Sequence, residues 1–267
     1  MIDVLAMARL AEAADGVAAL DEATGLAVRN RPETVQVWGD VRGFGLLIGD
    51  ELTLLVMPHE RSTGLGRRLL LQAPAQAHRA WSHGDHPAAR ALAASHGWDR
   101  VRELWVMRRP AVPPPALAVP AGVRLRPFRP GDEAEIVRVN AAAFAHHPEQ
   151  GGLTLAGLHE RMAEPWFAAD GLITAWDETT GDLLAFHWTK QHDATHGEVY
   201  VVGVDPSAQG RGLGKLVTLA GLEHLAALGL DEIVLYVEAD NGPARTLYES
   251  LGFTHSPNDT HVQYERA

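Results

Sequence analysis

The sequence predicts an α/β protein of the mixed-sheet, α+β kind, built as two tandem domains joined by a proline-rich linker. Three observations carry this. A glycine-rich loop stands twice between an apolar, strand-like run and a helix-like segment: Leu52–Val56 leads to Arg61–Gly66, and Val199–Val202 leads to Gln209–Gly214. A second matched pair follows each loop, Arg90-Ala-Leu-Ala-Ala-Ser-His-Gly-Trp98 and Arg245-Thr-Leu-Tyr-Glu-Ser-Leu-Gly-Phe253, the first interval being seven residues the shorter. Between the copies, Pro110–Ala121 holds five prolines and no charge, and prolines that fix φ and remove donors suit a semi-rigid spacer better than a helix or a central strand. The expected organisation is therefore 1–110, a linker at 111–121, and 122–267, each copy being of a size that folds alone.

In the second copy the expected elements run in order. Val123–Phe128 reads as a strand. Asp132–Phe144 reads as a helix with its apolar side at Ile136, Val139, Ala143 and Phe144. Strands follow at Leu172–Trp176, Leu183–Trp188 and Val199–Val204, then a helix at Leu213–Leu228 and a strand at Ile233–Val237. A helix from Pro243 to Leu251 opens with a proline where a missing N–H matters little and stops at Gly252. A last strand falls within Thr260–Glu265. The first copy repeats the plan from about Val35, after an alanine-rich, helical opening.

Composition narrows the chemistry. The chain of 267 residues has 46% hydrophobic residues and no cysteine. It can bury a core, but it has no disulfide, thiolate metal site or cysteine nucleophile. Residues 1–121 carry 13 basic and 13 acidic side chains, while residues 122–267 carry 10 and 21, so the whole net charge of −11 sits in the second copy. Such a surface repels phosphate backbones, so no nucleic-acid partner is expected. No apolar run reaches membrane-spanning length, and Met1–Leu10 lacks the features of a secretory leader. The expectation is a cytoplasmic, monomeric protein with no membrane partner. His146-His147 and His83-Gly-Asp-His86 lack the carboxylate support that a metal site wants, and no metal is expected.

The loop Gln209, Gly210, Arg211, Gly212, Leu213, Gly214, followed by Lys215, carries the function. Its glycines let the backbone turn sharply with N–H groups exposed, and the following helix adds its positive end. That suits a pyrophosphate, although a plain strand-to-helix turn has the same look. It lacks the Gly-Lys-Ser/Thr ending of a P-loop and the spacing of dinucleotide-binding loops. What it matches is Gln/Arg-x-x-Gly-x-Gly/Ala, and Arg61, Ser62, Thr63, Gly64, Leu65, Gly66 match it again. On these two motifs the chain resembles the GCN5-related N-acetyltransferases (GNAT), over nearly all of both copies.

The resemblance implies acetyl-CoA as co-substrate, its pantetheine arm lying along Val202, Gly203 and Val204. The start of the last helix, Asn241, Gly242, Pro243, Ala244, Arg245 and Thr246, is the second implied contact. The first copy offers Leu54, Leu55 and Val56 beside its own loop. Alternation along the strand places Glu198, Tyr200, Val202 and Val204 on one face. Glu198 matches the place where many relatives have a general base, and Tyr248 the place of a tyrosine that meets the departing thiolate. On spacing alone, Glu198 is equally a solvated strand-end residue and Tyr248 a packing residue. The position matching Tyr248 in the first copy is Ala93, so that copy is expected to bind without catalysing.

Further runs narrow the resemblance to the tandem enzymes of the mycothiol synthase family. They are Phe144-Ala-His-His-Pro-Glu-Gln-Gly-Gly152, Glu164-Pro-Trp-Phe167, Phe186-His-Trp-Thr-Lys190, Gly197–Asp205 and Leu235–Asn241. That family acetylates the cysteinyl amine of a cysteine–glucosamine–inositol conjugate. The resemblance implies that Glu22, Glu149, Lys190, Glu198 and Tyr236 hold this polyol amine. The alternatives left open are acetylation of another amine, such as an aminoglycoside or polyamine, and a non-catalytic acyl-CoA-binding module.

Overall fold

A computed structural model of the chain describes residues 2–145 and 150–266. The first elements in chain order are α1 (Val4–Asp15), α2 (Glu22–Asn30), β1 (Val35–Asp40), β2 (Gly43–Ile48), β3 (Glu51–Val56), α3 (Leu65–Leu71), β4 (Arg79–Ser82), α4 (Pro87–Ser95) and β5 (Trp98–Pro110). There follow β6 (Val123–Pro127), α5 (Glu133–Ala143), α6 (Leu155–Met162), β7 (Leu172–Asp177), β8 (Leu183–Gln191) and β9 (His196–Val204). The chain ends with α7 (Leu213–Ala227), β10 (Glu232–Glu238), α8 (Gly242–Ser250) and β11 (Thr254–Arg266). The mixed α/β class expected from the sequence is the one the chain adopts.

Two compact units form. One comprises Met1–Val106, Glu238–Asn241 and Ser256–Ala267, the other Met107–Val237 and Gly242–His255. Residues 111–121 carry neither helix nor strand. The final strand, expected within the second copy, pairs instead with the first: Val262 faces Ser82 and Glu265 faces Arg79 in an antiparallel ladder. A strand's own pattern specifies which face is apolar, not which edge it joins, so the sequence left this partner open.

In the first unit the strands lie in the order β1-β2-β3-β4-β11, with β3 and β4 parallel. Helix α1 begins where Asp3 accepts the Ala6 N–H at 2.9 Å, a cap that answers one of the orphan donors of the first turn. Its buried side, Val4, Met7, Ala8 and Ala11, packs on Phe44, Leu46 and Leu55. The alternate residues Leu47 and Leu52 face the other way, onto Ala93, Trp98, Val262 and Tyr264.

The second unit has the order β10-β9-β8-β7-β6, an antiparallel meander from β6 to β9 with β10 added parallel through the α7 crossover. One face carries α5 and α6: Ile136, Val139 and Leu158 pack on Leu172, Phe186, Trp188 and Val201. Trp188 and Phe186 are each 1% exposed, and burying a side chain of that size stabilises by about 1.5–3 kcal/mol. The opposite face takes α7 through Leu213, Leu216 and Val217 against Ala175, Leu184 and Ala185. Nine of the fifteen residues of α7 are buried, so this helix is fixed on nearly every side and holds its N-terminus firmly.

Candidate active site

The site begins where two parallel strands part. Strands β9 and β10 pair only from His196/Glu232 to Val199/Leu235, yet β9 runs on to Val204 and β10 to Glu238. Val202, Gly203 and Val204 therefore offer backbone groups on one side to an incoming extended arm, which can pair as an added strand. In the first unit β3 and β4 pair at Glu51/Arg79 and Leu52/Ala80 only, leaving Leu54, Leu55 and Val56 open in the same way.

Beyond each open strand stands its glycine loop. Among the described residues, the backbone N–H groups of Gly210, Arg211, Gly212, Leu213, Gly214 and Lys215 make no hydrogen bond. Gly212 caps α7 in the left-handed conformation at φ 75°, and Gly210 sits at φ 78°. Such angles suit glycine and expose the N–H groups rather than turning them inward. The first loop copies this backbone: Gly64 has φ 80° and Ser62 φ 62°, and the N–H groups of Ser62 through Arg67 are equally without partners among the described residues. Six adjacent donors at a helix start, with exposed Arg211 and Lys215 beside the second set, fit a pyrophosphate. Gln209 is also exposed. Its counterpart Arg61 is engaged, both guanidinium NH groups donating to Asp15 at 2.6 Å and Nε to the Val56 carbonyl at 3.2 Å.

The face of β9 differs from the expectation. Opposite β8, Trp188 pairs with Val201 and Thr189 with Val199, so Tyr200 is an extra residue, a β-bulge. The bulge reverses the alternation. Glu198 and Tyr200 point to the α5–α6 side, where Tyr200 packs with Trp166 and Trp188. Val202 and Val204 point to the α7 side. The four residues do not share one face, because the bulge places Glu198 and Tyr200 on one side of the sheet and Val202 and Val204 on the other.

Glu198 is 6% exposed and accepts a hydrogen bond from His192 Nε2 on its Oε2 at 2.7 Å. Lys190 is its cross-strand neighbour, with Nζ 4.7 Å from the centre of the Trp166 ring and 5.1 Å from that of Tyr200. Tyr236 is 43% exposed on β10, two residues past Val234, which pairs with Glu198. Tyr236 thus shares the Glu198 face. Tyr248 lies in α8 with its ring 5.9 Å from that of Phe253. Enclosure pushes its hydroxyl up to about 12, so the group stays protonated and able to donate.

The remaining candidates fall as follows. Gly242 is the first residue of α8 and Pro243 the second. The Thr246 hydroxyl donates back to the Gly242 carbonyl at 2.9 Å, while Ala244 and Arg245 lie half-buried on the same helix. Asn241 belongs to the segment grouped with the first unit. Glu22 opens α2 of the first unit, behind the Asp21 cap. Glu149 lies outside the described residues, as do His146 and His147. Among the described residues, no group of three or more His, Asp or Glu is placed to hold a metal.

Sequence reasoning missed several residues. His192 sits in a short turn with no motif to mark it, and only folding the β8–β9 hairpin brings it onto Glu198. Arg161 of α6 donates Nε to the Tyr200 hydroxyl at 3.0 Å, a contact that depends on the bulge. In the first unit a cavity of about 800 Å³ runs beside Leu54–Val56 and the loop from Arg61 to Arg67, reaching Trp81 and His83. There His83 Nδ1 lies 2.9 Å from His261 Nδ1 on β11, and burial holds His83 below its ordinary value.

An open parallel strand pair, a loop of unpartnered N–H groups and a rigid helix behind it define the cofactor site of a GNAT-type acetyltransferase. Comparison agrees: the Acetyltransferase (GNAT) family profile matches residues 143–253. A mycothiol acetyltransferase from Nocardioides sp. is 56% identical, over 98% of this chain and 96% of that protein. One from Thermobispora bispora is 47% identical over 98% and 95%. Among solved structures, a tandem GNAT protein of the clavulanic acid biosynthesis pathway superposes with a TM-score of 0.71 at 20% identity, covering 98% of this chain and 95% of that one. The chain belongs to the mycothiol acetyltransferase family.

Proposed function

We propose that the chain moves the acetyl group of acetyl-CoA directly to the cysteinyl amine of a cysteine–glucosamine–inositol conjugate, giving mycothiol and CoA. The carrying observation is the pairing of a buried, solvent-reached carboxylate, Glu198, with an open cofactor strand one bulge further along β9. The full-length relatives named mycothiol acetyltransferase support the choice of acceptor.

In this reading the loop from Gln209 to Lys215 holds the pyrophosphate through its free N–H groups, and Val202–Val204 pairs with the pantetheine arm. The thioester supplies the acyl group. A backbone N–H of the open strand polarises its carbonyl. Glu198 takes a proton from the ammonium, directly or through one water, to give the nucleophilic amine. Tyr248 donates toward the departing thiolate. The absence of cysteine supports transfer without an acyl-enzyme. Lys190 and Tyr236 offer donors to the hydroxyls of a polyol, and the −11 charge of the second copy favours a cationic acceptor.

The test is CoA release from acetyl-CoA with the cysteinyl–glucosaminyl–inositol amine, for the wild type, Glu198→Ala and Tyr248→Phe. Turnover that drops by ~100-fold in each variant supports the acceptor and both roles. Turnover with a different amine only would retain the fold and discard this acceptor.

A second reading concerns the first unit alone. Its matching loop, open strand and 800 Å³ cavity support a second acyl-CoA site. With Ala93 where the second copy has Tyr248, that site would bind without transferring.

A further inference from the structure

A buried general base must be held with one oxygen toward its proton donor. Glu198 meets this condition through one neighbour. Its Oε2 is occupied by His192 Nε2 at 2.7 Å. Its Oε1 has no partner among the described residues and is not sealed from solvent. The His192 side chain is 37% exposed, against 7% for that of Glu198, so the pair runs from the buried base to water.

The turn that carries His192 is fixed by its own bonds. Asp193 Oδ1 accepts from the backbone N–H groups of Thr195 at 2.7 Å and His196 at 2.8 Å, and from the Thr195 hydroxyl at 2.8 Å. These bonds hold the Asp193 carboxyl far below the usual carboxylate range. His192 N–H donates to the His196 carbonyl at 2.9 Å, and the N–H groups of Asp231 and Glu232, at the start of β10, close on the Thr195 carbonyl at 2.8 and 3.1 Å. The imidazole is therefore presented by a braced hairpin.

We propose that His192 is a positioning residue for the acetyl transfer, orienting the Glu198 carboxylate through the hydrogen bond from its Nε2–H. The inference rests on the reading of Glu198 as base. His192, with a proton on Nε2, donates to Oε2 and leaves Oε1 to receive the proton of the substrate ammonium. The N–H bond of the ammonium breaks, the Oε1–H bond forms, and that proton later leaves to the water that reaches Oε1. His192 keeps its own Nε2–H throughout.

Lys190, across from Glu198 on β8, has its ammonium over the Trp166 and Tyr200 rings. His196 is bonded to Asp193 rather than to Glu198. Asp231 and Glu232 approach through their backbone.

The experiment compares the wild type with His192→Ala, His192→Gln and Glu198→Gln in CoA release with acetyl-CoA and the cysteinyl–glucosaminyl–inositol amine. Melting temperatures serve as the folding control. His192→Ala should lower kcat on the order of 10- to 100-fold with little change in either KM. His192→Gln keeps a donor for Oε2 and should retain most of kcat. Wild-type kcat in His192→Ala would overturn the proposal while leaving Glu198 as base. Full turnover in Glu198→Gln would instead overturn the base reading itself.

Discussion

Arg138 of α5 donates through one guanidinium NH to Oδ2 of Asp205 at 2.5 Å, tying the first helix of the second unit to the turn that launches its glycine loop. The other oxygen of Asp205 accepts from the Ser207 backbone N–H at 2.9 Å and hydroxyl at 2.6 Å. Arg138 is held in turn by Glu135 and by the Leu183 carbonyl at 2.9 Å. The Ser207 hydroxyl and Arg138 together keep the Asp205 carboxyl below its ordinary value.

Removing Arg138 should leave that carboxylate without its ion pair, a few residues before the loop proposed to hold the pyrophosphate. Arg138→Met is expected to raise the KM for acetyl-CoA about 5- to 10-fold, roughly 1–1.4 kcal/mol, with a smaller effect on kcat. Because the added repulsion is electrostatic, the KM difference should narrow at high salt. Steady-state kinetics at two ionic strengths check this, and a salt-independent difference would point to loop geometry instead.

Gly203 is the next pressure point. A Cβ there would lie 2.5 Å from the Phe186 ring, and Phe186, 1% exposed, has nowhere to turn. Gly203→Ala must displace β9, the strand proposed to pair with the pantetheine arm. Overpacking of this kind destabilises by about 1–3 kcal/mol. The expected outcome is a melting temperature lower by several degrees and a raised KM for acetyl-CoA. An unchanged melting curve would mean that the strand tolerates the shift.

What was legible in the sequence follows from what is local. The glycine loops announce themselves because left-handed backbone and donor-rich turns demand particular residues, and the two loops agree down to Ser62 standing where Gly210 does. The helix of Leu213 and the strand of Val202 follow from apolar spacing. The facing of Glu198 was not legible, since a one-residue bulge at Tyr200 is decided by pairing with β8 rather than by β9's own pattern. The partner of β11 and the approach of His192 to Glu198 are likewise contacts that only the folded chain makes. Residues with a chemical motif were found; those that serve them through space were not.

His187 gives a stability prediction with a definite sign. It is fully buried, with Nδ1 3.0 Å from the Val217 carbonyl, and burial lowers its pKa to about 4. The unfolded chain takes up a proton near 6.5 while the folded one does not. Stability is therefore complete above about pH 6.5, falls as pH drops through that value, and levels off near 4. The full loss from this group is on the order of 3 kcal/mol, with about 1.4 kcal/mol gone one unit below 6.5. Melting curves from pH 7.5 to 5 should show this slope. His187→Phe, which has nothing to protonate there, should flatten it even where the variant is less stable overall.

The two glycine loops can be told apart by CoA binding. Gly212 and Gly64 both hold left-handed backbone at the start of a helix, at φ 75° and 80°. A β-branched residue is a strong outlier there, so valine must twist the loop and turn its N–H groups aside. If both loops hold CoA, calorimetric titration of the wild type should give two equivalents per chain. Gly212→Val and Gly64→Val should each give one, and the double variant none. One equivalent in the wild type that survives Gly64→Val and vanishes with Gly212→Val would mean that only the second loop binds. The matching backbone of the first loop would then be an inherited shape without a ligand. Two equivalents would instead make the first unit a functioning acyl-CoA site, its Arg61 neutralised by Asp15 and its binding carried by backbone N–H groups alone.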